Sequence, residues 1–171
     1  MKKGFTLVEL LLVIAILGIA VGVTTDILLS LVRSYGKTQI INDIEQNANF
    51  VTAKLEKELR EANSVTDVTS GGIPEISLVL DAKTVYYRLA NGELLRRVDS
   101  SSYQNITQDK DPGGVFVACG SVDGISCFNV VTGSPTIVSY SFIFSQPSTI
   151  TGSVFSESIE TGGTVVIRNS Y

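Results

Sequence analysis

The 171-residue chain contains no His and no Trp, and it has only two Cys, one Met and four Pro. Without His, it lacks the side chain most often used as a general base near neutral pH. A net charge of −4, from 13 Lys and Arg against 17 Asp and Glu, argues against a surface built to bind nucleic-acid phosphates. Neither a Gly-x-Ser-x-Gly motif nor a phosphate-binding loop is present. We therefore predict a non-enzymatic protein without a catalytic site, cofactor, metal site or direct nucleic-acid partner.

Charged residues are also scarce, at 18% of the chain, and they are scarcest in the segment that follows the first four residues. Of the 19 residues from Phe5 to Val23, only Glu9 is charged. A helix of this length spans about 28 Å, close to the ~30 Å core of a bilayer. Lys2 and Lys3 precede it, so the positive-inside tendency places the short leader in the cytoplasm and the remainder outside.

Three interpretations of this segment compete. An ordinary signal peptide has to tolerate Glu9 in its apolar core, with Gly18-Ile19-Ala20 as a poor cleavage site. A plain membrane anchor leaves Glu9 without a role, although an ionisable group costs roughly 2.5–3.5 kcal/mol at mid-bilayer. The third interpretation is a processed signal in which Glu9 has a partner on another molecule.

The residues Gly4-Phe5-Thr6-Leu7-Val8-Glu9, followed by an unbroken apolar run, favour the third interpretation. They resemble the class III signal of type IV pilins and pseudopilins. The resemblance implies that a membrane prepilin peptidase cleaves between Gly4 and Phe5 and that Phe5 becomes N-methylated. It also implies three further partners: other pilin or pseudopilin subunits, an inner-membrane assembly platform, and membrane lipid before assembly. The expected location is the bacterial cytoplasmic membrane, as a single-pass protein, and then a periplasmic or cell-surface filament.

The same resemblance assigns Phe5, Thr6 and Glu9 to subunit assembly. Glu9 follows Phe5 by four residues, which is about one helical turn. In a packed array of such helices, the carboxylate of Glu9 is expected to meet the Phe5 amine of a neighbouring subunit. An unpaired charge is disfavoured in low-dielectric surroundings, so this contact would set the axial register of an incoming subunit.

The helical pattern continues to Asn63. From Ile41 onward apolar residues recur every three or four positions, which is typical of an amphipathic helix with one buried stripe. The predicted opposite face carries Asn42, Asp43, Asn47, Lys54, Lys57, Glu58 and Glu61. The stripe would suit either a coiled-coil seam or a sheet of the same chain. We favour the sheet, because the segment that follows contains strands that need a cover.

Residues 64–171 are rich in Ser, Thr, Val, Ile and Gly and lack helix signals. The predicted strands are 75–81, 83–90, 93–99, 114–119, 126–131, 136–145, 149–156 and 164–169. Asn91-Gly92 is a strong signal for a type I′ hairpin turn, and the absence of intervening helices favours antiparallel pairing. The predicted fold class is thus α+β, a long amino-terminal helix packed on an antiparallel head. The expected segments are a leader at 1–4, a membrane or filament-core helix at 5–28, an amphipathic helix at 29–63 and an extracytoplasmic head at 64–171.

The two cysteines, Cys119 and Cys127, lack the spacing of a redox or zinc motif. Outside the cytoplasm they would form a disulfide that closes the tip of a hairpin, and two unpaired buried thiols are the alternative. Residues 109–114 could offer oxygen ligands to calcium, but they lack the spacing of an EF-hand and are expected to form a solvated turn.

The head contains two pairs of adjacent residues, Tyr86-Tyr87 and Arg96-Arg97. In a strand, the two side chains of each pair should point to opposite faces, and we predict no ligand for either pair. The order of the long helix, the tyrosine strand, the Asn-Gly turn and the Leu-Arg strand resembles J-type pseudopilins of type II secretion and W-type minor pilins. This resemblance implies a structural minor subunit of a secretion pseudopilus or a type IV pilus. The alternative function is a filament-tip subunit for binding, adhesion or competence.

Overall fold

The computed structural model describes residues 6–107, 114–120, 127–146 and 157–167. Helix α1, Leu7–Glu61, is followed by strands that form two antiparallel sheets, so the predicted α+β architecture is confirmed. The strands are β1 Ser64–Asp67, β2 Glu75–Leu80, β3 Lys83–Ala90, β4 Glu93–Val98, β5 Gln104–Asn105, β6 Phe116–Cys119, β7 Cys127–Val131, β8 Thr136–Ser145 and β9 Ser158–Ile167.

The chain divides into two compact units, Met1–Gln39 and Ile40–Tyr171. In the first unit, the residues from Leu7 to Tyr35 are helical and exposed. In the second unit, α1 buries one stripe of side chains at intervals of three or four residues. The buried stripe consists of Ile44, Ala48, Val51, Leu55 and Leu59. The predicted periodicity is therefore correct, and the helix ends two residues before the expected Asn63.

The first sheet has the order β1-β2-β3-β4-β5, with every pair antiparallel. The Asn91-Gly92 turn joins β3 to β4, and both residues have positive φ, at 54° and 77°, as a type I′ turn requires. A side chain on Gly92 would also collide with the ring of Phe116, because a Cβ atom there would lie 2.0 Å from the ring. The Gly92 carbonyl accepts a hydrogen bond from the Val117 amide at 2.8 Å, which ties this turn to β6.

The second sheet is built around β8, which pairs with β9 along one edge and with both β6 and β7 along the other. Its inward face contributes a row of aromatic side chains to the core, Tyr140, Phe142 and Phe144 on β8 and Phe128 on β7. These rings join the helix stripe and the inward residues of the first sheet in a single hydrophobic cluster. The helix is therefore covered by strands of its own chain, as expected, rather than left as a coiled-coil seam.

Cys119 and Cys127 form a disulfide, but the predicted position at a hairpin tip is wrong. Strands β6 and β7 both run antiparallel to β8 and lie on the same edge of it. Cys119 is opposite Phe142 and Cys127 is opposite Ser141, the next residue along β8. The two strands are thus collinear pieces of one edge. The disulfide joins them across the residues inserted between them.

Replacing both cysteines with Ser should destabilise the head by about 2.5 kcal/mol, since the bond closes a short loop in the unfolded chain. Urea unfolding of the full chain in detergent micelles, followed by near-ultraviolet circular dichroism, measures this change. Dithiothreitol should destabilise the wild-type chain by a similar amount and leave the double Ser variant unchanged. An equal response of both proteins to the reductant would contradict the prediction.

The strands at 83–90 and 136–145 have the predicted bounds, and those beginning at 75, 93, 114 and 126 differ by one or two residues. Two short strands, β1 and β5, were not predicted, and β9 begins at Ser158 rather than 164. The predicted strand at 149–156 lies outside the described residues, as does most of the predicted turn at 109–114.

Candidate functional site

The amino-terminal half of α1 presents apolar side chains on every side. Most of the side chains in its first three turns are more than half exposed, as with Leu7 at 74% and Val8 at 71%. The helix is long and apolar enough to cross a membrane, and none of its most apolar stretch is buried by the residues that the structure describes. So much exposed apolar surface has to be covered by lipid or by other helices.

Thr6 and Glu9 close the start of this helix with reciprocal hydrogen bonds. The Thr6 amide and hydroxyl each donate to Glu9 Oε2 at 2.9 Å, and the Glu9 amide donates to Thr6 Oγ1 at 3.3 Å. The Thr6 carbonyl accepts the first bond of the helix, from the Leu10 amide at 3.2 Å. Thr6 is thus the N-cap and Glu9 the third helical residue of a capping box, an arrangement typical of a Thr-x-x-Glu sequence.

The capping box gives Glu9 a role that the sequence analysis missed. Within a single chain, its carboxylate accepts two hydrogen bonds and lies where the helix dipole favours negative charge. Gly4 and Phe5, the residues of the expected cleavage and methylation, lie outside the described residues. Among the predicted assembly residues, the structure therefore brings Thr6 and Glu9 together.

A second charged site lies between α1 and the first sheet. Glu58 accepts hydrogen bonds at Oε2 from the Tyr87 hydroxyl, at 2.7 Å, and from Arg96 Nε, at 3.1 Å. Its Oε1 accepts a third bond from Arg96 Nη2 at 2.7 Å. Only 12% of the Glu58 side chain and 17% of the Arg96 side chain are exposed. The expectation that Glu58 lies on a polar outer face is wrong, and Arg96 has a specific partner.

Glu56 makes a similar contact with the second sheet. Its Oε1 accepts a hydrogen bond from the buried Tyr140 hydroxyl at 2.8 Å, and Arg60 lies 3.6 Å from its Oε2. Two carboxylates near the end of α1 thus each bind a core tyrosine, one on either sheet. These bonds satisfy hydroxyl groups that would otherwise be buried without partners.

The two tyrosines make the head sensitive to alkaline pH. Burial and then the hydrogen bond to Glu58 raise the pKa of Tyr87 above its usual value, and burial and Glu56 do the same for Tyr140. Above about pH 10 the unfolded chain releases tyrosine protons that the folded chain retains, so stability should fall as pH rises. Below that pH the folded and unfolded states bind these protons equally, and the tyrosines do not make the free energy of unfolding depend on pH.

Urea unfolding between about pH 8 and 11 measures this loss, and Tyr87→Phe should show a shallower decline than the wild-type chain. Tyr35→Phe is the matched control, because Tyr35 is exposed on α1, and it should keep the wild-type slope. Parallel curves for the wild-type chain and Tyr87→Phe would contradict the role of Tyr87.

Within the residues that the structure describes, no group of three or more Cys, Asp or Glu side chains is placed to hold a metal ion. Asp99, directly after β4, has a positive φ of 50°, and its carboxylate accepts a hydrogen bond from the Thr84 amide at 2.8 Å. Its carboxylate therefore has a structural role at the start of β3.

Residues 1–25 match the family model described as the prokaryotic N-terminal methylation motif. The predicted class III signal of type IV pilins is thereby confirmed over this segment, and the motif implies processing by prepilin peptidase and assembly with pilin-like subunits. No curated protein and no solved structure shows a significant match to the chain. The signal and the apolar helix together fit a single-pass protein of the inner membrane.

Proposed function

We propose that this chain is a structural minor subunit of a type II secretion pseudopilus or a type IV pilus. Prepilin peptidase removes residues 1–4, Phe5 is N-methylated, and residues 5–28 anchor the subunit in the inner membrane with the head outside the cytoplasm. The platform proteins then extract it, and the apolar helices exchange lipid for one another in the filament. Residues 29–63 continue the helix into the head at 64–171.

The observation that carries this proposal is the methylation motif at residues 1–25, on a helix whose most apolar stretch is not covered by any residue that the structure describes. Glu9 is proposed to meet the Phe5 amine of a neighbouring subunit, since its capping-box bonds with Thr6 use only Oε2 of the carboxylate. The order of the tyrosine strand, the Asn91-Gly92 turn and the Leu-Arg strand supports a minor subunit resembling the J or W type. Proteins with this motif are structural subunits, which supports a non-enzymatic role.

Intact-mass measurement and amino-terminal sequencing of the protein from its own host test the processing step. The mature chain should lack residues 1–4, begin at Phe5 and carry one added methyl group. Gly4→Leu should abolish cleavage. Gly18→Ala should be processed normally, since a Cβ atom at Gly18 meets nothing within 4 Å. A wild-type chain that keeps its leader in cells containing the peptidase would overturn the proposal.

A further inference from the structure

The outer face of the first sheet, turned away from Tyr87 and Arg96, carries a stacked arginine. Tyr86 on β3 is directly opposite Arg97 on β4. The Arg97 guanidinium carbon lies 4.1 Å from the centroid of the Tyr86 ring and 4.7 Å from that of Tyr103. A guanidinium between two aromatic faces is stabilised by both ring quadrupoles. Arg97 is therefore held in place on a partly exposed surface.

The surrounding side chains fix the Tyr103 ring in turn. Its hydroxyl donates to Glu75 Oε1, and Arg88 lies over its ring at 4.4 Å from the centroid. Arg88 also donates through Nε and Nη2 to Glu75 Oε2, and Glu75 is only 6% exposed. The stack formed by Tyr86, Arg97 and Tyr103 is thus ordered before any ligand arrives, which lowers the entropic cost of binding.

The three arginines of β3 and β4 differ in one respect. Arg88 has Glu75 and Arg96 has Glu58 as a carboxylate partner. Arg97 makes no ion pair with a described residue, and its Nε is buried without a hydrogen-bond acceptor in the part of the chain described here. The Arg97 guanidinium is partly exposed and has no carboxylate partner among the described residues, so an anion that hydrogen-bonds its Nη groups would be favoured.

We propose that the stack of Tyr86, Arg97 and Tyr103 binds a carboxylate side chain in an acidic segment of another protein. Tyr and Arg are among the residues most enriched at the energetic centres of protein interfaces, and the planar guanidinium fits a carboxylate. A nucleic acid is a poorer fit, because a phosphate backbone requires several unpaired cations and the chain carries a net charge of −4. This site is independent of the processing and filament assembly proposed above.

A titration of the full chain in detergent micelles tests the site. The probe is a trifluoroacetyl-capped, amidated hexapeptide of alternating Glu and Ser, whose fluorine relaxation reports weak binding. The same peptide with Gln in place of each Glu is the uncharged control. Only the Glu probe should bind saturably and shift the Arg97 Nε–Hε resonance. Equal binding of both peptides, or no binding of the Glu probe, would overturn the proposal.

Arg97→Gln should weaken binding of the Glu probe about tenfold or more, the loss typical of a charge-assisted hydrogen bond. Lys83→Gln is the matched control, because it removes one exposed positive charge from the same strand pair, and binding should stay unchanged. If Arg97→Gln lowers the melting temperature, Arg97→Lys is used instead. This variant should still weaken binding, because Lys keeps the positive charge but lacks the planar pair of donors that binds both oxygens of a carboxylate. An equal loss in Lys83→Gln would show binding to overall charge and contradict the site.

Two further experiments test whether the site binds something other than a carboxylate of another protein. Inorganic phosphate that displaces the Glu probe far better than acetate does would identify a phosphate site and overturn the carboxylate assignment. Stronger probe binding after replacing Asp109 and Asp111 with Asn would show that acids of the same chain compete for Arg97, which also contradicts an external partner. The proposal is supported when acetate and phosphate compete similarly and the Asn variant binds as the wild-type chain does.

Discussion

Replacing Glu58 with Ala should lower the free energy of unfolding of the head by about 3–5 kcal/mol, the loss typical of removing one partner from a buried ion pair. The substitution leaves the Arg96 guanidinium and the Tyr87 hydroxyl without their acceptor, and Arg96 is only 17% exposed. Since a domain of this size is stable by about 5–15 kcal/mol in total, the change is a large share. Urea unfolding of the full chain in micelles, followed by near-ultraviolet circular dichroism, measures it.

Glu45→Ala is the matched control, because Glu45 is exposed on the same helix, and it should change stability by less than about 0.5 kcal/mol. A double variant, Glu58→Met with Arg96→Met, should be more stable than Glu58→Ala, since no charge is then left buried alone. Losses that are equal for Glu58→Ala and Glu45→Ala would show that the ion pair contributes little.

The position of Glu58 illustrates what the sequence could and could not predict. The helical period correctly identified the stripe that includes Val51, Leu55 and Leu59, because burial follows the 3.6-residue repeat. It assigned Glu58 to the polar face, since periodicity gives the direction of a side chain and not the width of the surface that covers the helix. The partner Arg96 is 38 residues away, and no local pattern connects the two.

The strands also show that local sequence patterns predict local structure but not long-range pairing. Alternating residues around Asn91-Gly92 specified β3, β4 and their turn, because the signal is local. By contrast, β5 has two residues, and β9 contains Gly162-Gly163, which contribute no side chains to an alternating pattern. The expected location of the head outside the cytoplasm predicted a disulfide between Cys119 and Cys127. Their place on one edge of β8 depends on long-range pairing that the spacing does not encode.

Replacing Glu9 with Gln should leave cleavage intact and reduce incorporation into a filament by at least about tenfold, if the carboxylate pairs with a neighbouring amine in low-dielectric surroundings. The capping box makes this substitution informative. Gln is as good as Glu at the third helical position, so the hydrogen bond from the Thr6 amide can persist while the charge is lost. The ratio of filament-bound to membrane-bound protein, measured by shearing and quantitative immunoblotting in the native host, gives incorporation.

Thr6→Val is the matched control, because it removes the hydroxyl that bonds to Glu9 and keeps the charge. If Glu9 acts through its charge, Thr6→Val should incorporate far better than Glu9→Gln, with a loss no larger than the roughly 1 kcal/mol cost of a weakened cap. If Glu9 acts only by starting the helix, the order reverses and Glu9→Gln should assemble almost normally. Both capping-box bonds go to Glu9 Oε2, so a neighbour's amine can bind Oε1 on assembly without displacing Thr6, and the two contacts are compatible.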